Sequence, residues 1–158
     1  MNKKTPPYWE GSQFYLHIVF QDVFICMKVN IKYLNAKKIE SVHNSVKRFI
    51  RLLQKNLPLK ESIVVEFLGH RYGDMTTGSR TDEGKLKILV KNRILRDVLR
   101  TLAHEWVHEY QMQILKRQEG PNIGGKNEDE ANALSGRLVK KFENKHPNKK
   151  ENNFGSFE

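Results

Sequence analysis

His104-Glu105-Trp106-Val107-His108 is the stretch of this sequence whose residue types and spacing can do chemistry. The apolar periodicity around it predicts a helix from about Arg93 to Lys116, so the two histidines lie four residues apart on one helical face. Two imidazoles so placed can bind one zinc ion through ring nitrogens at about 2.0–2.1 Å. Glu105 follows the first histidine and stands beside the metal without being a ligand. Zinc lowers the pKa of a water it holds to about 7. Glu105 can take that water's proton and pass it to a leaving amine. The chemistry expected is zinc-dependent peptide-bond hydrolysis, with one Zn2+ per chain and Glu105 as catalytic base. Trp106 and Val107 are uncharged, and the apolar run Val98 to Ala103 leads into the motif, as a mid-helix position against a core requires.

A catalytic zinc needs a third protein ligand. An extension of the motif by glycine and then histidine is excluded, because Gln111 and Ile114 occupy those places. The only later histidine is His146, beside Pro147 and past the last predicted helix. The acidic cluster Glu128-Asp129-Glu130 remains, opening that helix after a glycine-rich turn. Glu128 is the preferred ligand. Ala131, one turn on, lets the two helices approach closely, and Asn132 can orient a ligand by hydrogen bonding. Glu130 projects about 200° away from Glu128 on a helix of 3.6 residues per turn. Asp129 is the alternative. Acidic residues also stabilise a helix N-terminus without any metal.

The pair Thr101-Leu-Ala-His-Glu-Trp-Val-His108 and Glu128-Asp-Glu-Ala-Asn132 resembles the gluzincin-type metallopeptidases, whose signature is H-E-x-x-H on one helix and E-x-x-A-D or E-x-x-A-N on the next. Among these the chain looks most like the minimal IrrE/ImmA-type peptidases, over about residues 85–142. The resemblance implies His104, His108 and Glu128 as metal ligands, Glu105 as general base, and a protein or peptide substrate. SprT-like proteases share the helix motif but place a third histidine soon after it, and this chain has none there.

Hydrolysis also needs a group that stabilises the tetrahedral oxyanion. His70, Tyr72, Arg80 and Arg137 are the candidates. A second requirement is a surface that binds an extended peptide. The strand Lys85 to Lys91 is expected to serve by adding the peptide to a sheet edge, with its lysines facing an acidic segment.

These groups must be held by a small set of elements. Met27, Val29, Ile31 and Tyr33 alternate with Lys28, Asn30 and Lys32, a half-buried strand pattern. The preceding run from Phe14 is rich in aromatic and β-branched residues and is expected to form one or two strands. Asn35 is expected to cap a helix reaching about Asn56, with Ile39, Val42, Val46, Phe49, Ile50, Leu53 and Leu57 at helical spacing. Two strands follow, one with Ile63, Val65 and Phe67 on a face and one with Leu86, Ile88 and Val90. They read as a hairpin with a long connection, Gly69 to Gly84, and the lysines of the second fit a protected edge. The last helix is expected from Asn127 to about Asn144. The fold class is α+β: a minimal zincin-like domain, its small antiparallel or mixed sheet packed on an N-terminal helix and two active-site helices. Residues 1–26 read as an extension, 27–146 as the metallopeptidase domain and 147–158 as a polar, disordered tail. Met27 is a candidate natural start.

Composition frames the reading. The 158 residues suit one domain. The single cysteine, Cys26, excludes an internal disulfide and any cysteine-rich zinc site. No secretory signal or membrane-spanning run stands out, so the expected location is cytoplasmic, with no membrane partner. The net charge of +10 is uneven: residues 1–60 carry 11 Lys/Arg against 3 Asp/Glu, the rest 17 against 15. The basic helix of residues 36–56 therefore supports a second class of function, a nucleic-acid-binding or partner-binding protein on the same scaffold.

Overall fold

The computed structural model describes residues 27–117 and 125–147, which form three helices and a four-stranded mixed sheet in an α+β arrangement. Strand β1 (Val29–Leu34) leads into α1 (Glu40–Asn56), β2 (Ile63–Leu68), β3 (Gly78–Arg80), β4 (Lys85–Leu89), α2 (Leu95–Gln113) and α3 (Lys126–Lys145). The strand order is β1-β2-β4-β3. The expected extension 1–26, its strands before Met27, and the tail beyond residue 147 lie outside the described residues.

Alternation explains which face of the sheet is buried. Ile31, Val65 and Leu86 stand in register on the inner face, as do Tyr33, Phe67 and Ile88. The same side carries the apolar stripes of all three helices, and together they make one core. The outer face carries Lys32, Glu66, Lys87 and Ser79 in one row across the four strands, opposite charges falling on neighbouring strands as cross-strand pairing favours.

The hairpin expectation is overturned. β2 and β4 run parallel, and the connection between them contains β3, which pairs antiparallel with β4. Leu86 and Ile88 have no exposure at all, so their strand belongs inside the sheet. β4 is therefore flanked on both sides, and neither the protected-edge reading of its lysines nor peptide addition along it survives. The edge on this side of the sheet is β3. The signal was weak there because Gly78-Ser79-Arg80 has no hydrophobic alternation.

Asn35 does not cap α1. It adopts φ 51° in the turn after β1, a left-handed conformation that asparagine tolerates. The turn is pressed against Gly69, where an added Cβ would lie 1.7 Å from the Asn35 carbonyl oxygen. The helix starts at Glu40, with Ile39 as an N-cap that offers no side-chain cap. No helix among the described residues is long and apolar enough to cross a membrane.

Candidate metal centre

Helix α2 has two working faces, because residues 104–108 cover more than one full turn. Trp106 and Val107 are buried without exposure. The Trp106 indole N–H donates to the Leu57 carbonyl at 2.9 Å, which satisfies its one polar atom inside the core. With that face fixed, His104 and His108 project toward α3, one turn apart, with ring centroids 4.6 Å from each other. Helix α3 packs closely there through Ala131 and Ser135, both fully buried.

Three donor atoms converge between the helices. His104 Nε2 lies 3.1 Å from Glu128 Oε1, His108 Nε2 lies 3.1 Å from Glu128 Oε2, and the two Nε2 atoms are 3.0 Å apart. This is a group of His104, His108 and Glu128 that could hold a metal ion. A tetrahedral ion with ligands at 2.0–2.1 Å spaces neighbouring ligand atoms about 3.3 Å apart, so the triangle needs to open by only a few tenths of an ångström. Two imidazoles and one carboxylate match the His₂Glu set of a catalytic zinc with a position left open. Burial holds His104 below the ordinary imidazole value, with His108 and Arg100 acting the same way against Glu128 and a hydrogen bond with Asn132. The direction favours the neutral ring, which is the form that binds metal. The contact with Asn132 is the one expected of a ligand-orienting residue.

The other two members of the acidic cluster do not face this point. Glu130 accepts hydrogen bonds from Arg117 Nη1 and from Gln111 Nε2, and Asp129 is exposed. Gln111 was not foreseen. Its Nε2 donates to two groups that only accept, the Asn127 carbonyl at 3.1 Å and the Glu130 carboxylate at 2.9 Å. Its oxygen therefore faces His108 Nδ1, 3.0 Å away. That contact requires a proton on Nδ1 and leaves Nε2 as the nitrogen with a free lone pair in the neutral ring. The spacing of three residues after His108 was a signal, but its meaning needed α3.

Glu105 is buried and lines a cleft of about 300 Å³ together with His104 and Glu128. Gly78 of β3 passes over it. A Cβ there would lie 2.7 Å from Glu105 Oε1 and 2.5 Å from Thr101 Cγ2, so this position requires glycine because of close approach. The edge strand and the Glu105 carboxylate thus meet at one backbone position.

None of the four oxyanion candidates lines the cleft. His70 and Tyr72 are exposed, and the Tyr72 hydroxyl accepts from Asn35 Nδ2 at 2.9 Å. Arg137 is exposed and its Nε points back to the Ala133 carbonyl. Arg80 is buried in an ion pair with Glu109, Nε to Oε2 at 2.6 Å. Glu109 also accepts from Gln113 Nε2, whose own oxygen accepts the backbone N–H groups of Lys60 and Glu61. This network ties β3 to α2 and to the segment before β2. The arginines that line the cleft are Arg93 and Arg100, both on the N-terminal side of His104. Comparisons with protein-family models, curated proteins and solved structures find no match to this chain.

Proposed function

We propose that this chain is a zinc-dependent metallopeptidase of the gluzincin type, close in plan to the minimal IrrE/ImmA-type enzymes and acting in the cytoplasm. One observation carries the reading: the ring nitrogens of His104 and His108 and the carboxylate of Glu128 converge at 3.0–3.1 Å, beside a cleft lined by His104, Glu105 and Glu128.

His104, His108 and Glu128 are the residues that hold the ion. Zinc, when bound, supplies Lewis acidity toward water and toward the substrate carbonyl oxygen. Glu105 takes a proton from the attacking water. As the carbon–nitrogen bond breaks, Glu105 returns that proton to the departing amine. Gly78 keeps the strand backbone close to Glu105, so the carboxylate has a fixed position. Gln111 and Asn132 orient the two imidazoles.

Metal analysis and one substitution test this. The purified protein is expected to hold about one zinc per chain, and His104→Ala to abolish it. Glu105→Gln is expected to keep the zinc and lose hydrolysis of an unfolded protein substrate. Unchanged hydrolysis in that variant overturns the mechanism. The competing reading is a polyanion bound on the exposed Lys47, Arg51 and Lys55 of α1. A steep fall of DNA affinity with salt, in a protein without hydrolysis, would favour it.

A further inference from the structure

The cleft is chemically uneven. At one end stand His104, Glu105 and Glu128; toward the start of α2 stand Arg100, one turn before His104, Asp97, two turns before it, and Arg93, just ahead of the helix. The two arginines differ. Arg93 is committed, with Nη1 donating to the Leu89 carbonyl and Nη2 to the Asp97 carbonyl and the Thr101 hydroxyl. Arg100 is exposed and forms no hydrogen bond or ion pair among the described residues. Asp97 is the one carboxylate lining this end, against two guanidinium groups. The nearby Thr76, Thr77 and Ser135 add neutral hydrogen-bonding groups.

Arg100 and His104 are at i and i+4, so their Cβ atoms are about 5–6 Å apart on one face. An extended peptide advances about 3.3 Å per residue. A group held by Arg100 therefore belongs to a residue one or two positions from the bond that is cut. A guanidinium with free donors matches a carboxylate in a forked pair. Resting on the peptidase reading, we propose that Arg100 is a specificity residue that binds a substrate carboxylate beside the scissile bond, supplied by an Asp or Glu side chain or by the chain's C-terminus.

The test uses zinc-loaded Glu105→Gln protein, so binding is read without turnover. Four pools of dye-labelled octapeptides are titrated by fluorescence anisotropy at low salt. Three are amidated at the C-terminus and carry one Glu, one Gln or one Lys among neutral residues. The fourth repeats the Gln pool with a free C-terminal carboxylate. The Glu pool, the free-carboxylate pool, or both, are expected to bind about tenfold tighter than the amidated Gln pool, a difference of 1.4 kcal/mol. Which of them does identifies the source of the carboxylate. Arg100→Ala is expected to remove the preference, and Arg100→Glu to reverse it toward Lys. Arg100 is exposed, so neither change disturbs the core. Equal binding of all pools, binding of none, or a preference that survives Arg100→Glu overturns the proposal. Wild-type protein that cleaves peptides without regard to charge keeps the peptidase reading and loses this one. A carboxylate preference lost in Arg100→Ala, in a protein whose wild type cleaves nothing, does the reverse.

Discussion

Gln111 Oε1 and His108 Nδ1 face each other at 3.0 Å, and the orientation of that amide is dictated from its other end by Asn127 and Glu130. The tautomer of a candidate ligand is thus fixed by acceptors on the neighbouring helix, with Arg117 holding Glu130 in place. Gln111→Leu keeps the volume and removes the acceptor. Zinc affinity, measured by competition with a chromophoric chelator, is expected to fall about 10–100-fold, the usual cost of losing an outer partner. An unchanged affinity would show that the amide plays no part in orienting the ring.

Glu128 and its neighbour separate cleanly by substitution. Glu128→Ala is expected to bring the metal content well below one zinc per chain, whereas Asp129→Ala retains it, because Asp129 is exposed and away from the triad. Equal zinc loss in both would return the third ligand to doubt.

Gly78→Ala forces a Cβ to within 2.7 Å of Glu105 Oε1 and 2.5 Å of Thr101 Cγ2. Thr101, Glu105 or the β3 backbone must shift, and a displacement near 1 Å in a reacting group can cost about 10²-fold in rate. The expected outcome is retained zinc with hydrolysis reduced on that order. Full activity would show that hydrolysis does not depend on this close approach.

Glu109→Ala leaves Arg80 without its buried carboxylate partner, the two side chains being 7% and 5% exposed. Breaking such a pair costs about 3–5 kcal/mol. The loss should appear as a lower urea midpoint, and Glu109→Gln should lose less because it can still accept. A wild-type midpoint in Glu109→Ala would mean that the pair adds nothing to stability.

His43 gives a pH dependence with a definite sign. Burial, and then Lys38 and Lys47, hold its imidazole below the ordinary value of 6.5. The Tyr33 hydroxyl, its own pKa pushed up to about 12 by burial and then by Glu40, shares a hydrogen bond with His43 Nδ1 at 2.8 Å. The unfolded chain therefore binds the proton more readily than the folded one. The stabilising contribution is full above pH 6.5 and is lost as pH falls through the lower folded value. The stability difference between wild type and His43→Gln is expected to shrink across that window. A constant difference from pH 7.5 to 5 would rule this out.

Much of the site was legible because it depends on periodicity. The i, i+4 placement of His104 and His108, the inward Trp106 and Val107, and the choice of Glu128 all follow from helical geometry and from the absence of another ligand nearby. The alternation of Val29, Ile31 and Tyr33 likewise sufficed for β1. What stayed hidden depends on partners distant in sequence. β3 is a strand because β4 lies beside it, not because three residues prefer to extend. The parallel pairing of β2 and β4 is set by a long connection whose path no local pattern records. Arg80 has the right chemistry for an oxyanion partner, yet Glu109, on the far side of the fold's connectivity, claims it.

Trp106 has one further consequence. It is one of two tryptophans in the chain, and its indole is sealed in the core on the same stretch of helix that carries His104, Glu105 and His108. With Trp9→Phe as background, its emission becomes an intrinsic optical reporter of that stretch, blue-shifted while the indole is dry and red-shifted when water reaches it. A substitution that lowers zinc content without moving this spectrum has acted on the candidate metal centre and not on the fold. One that shifts it has melted the scaffold. A single cuvette measurement can therefore show, before any metal or substrate is added, which of the variants above keep the core around α2 intact.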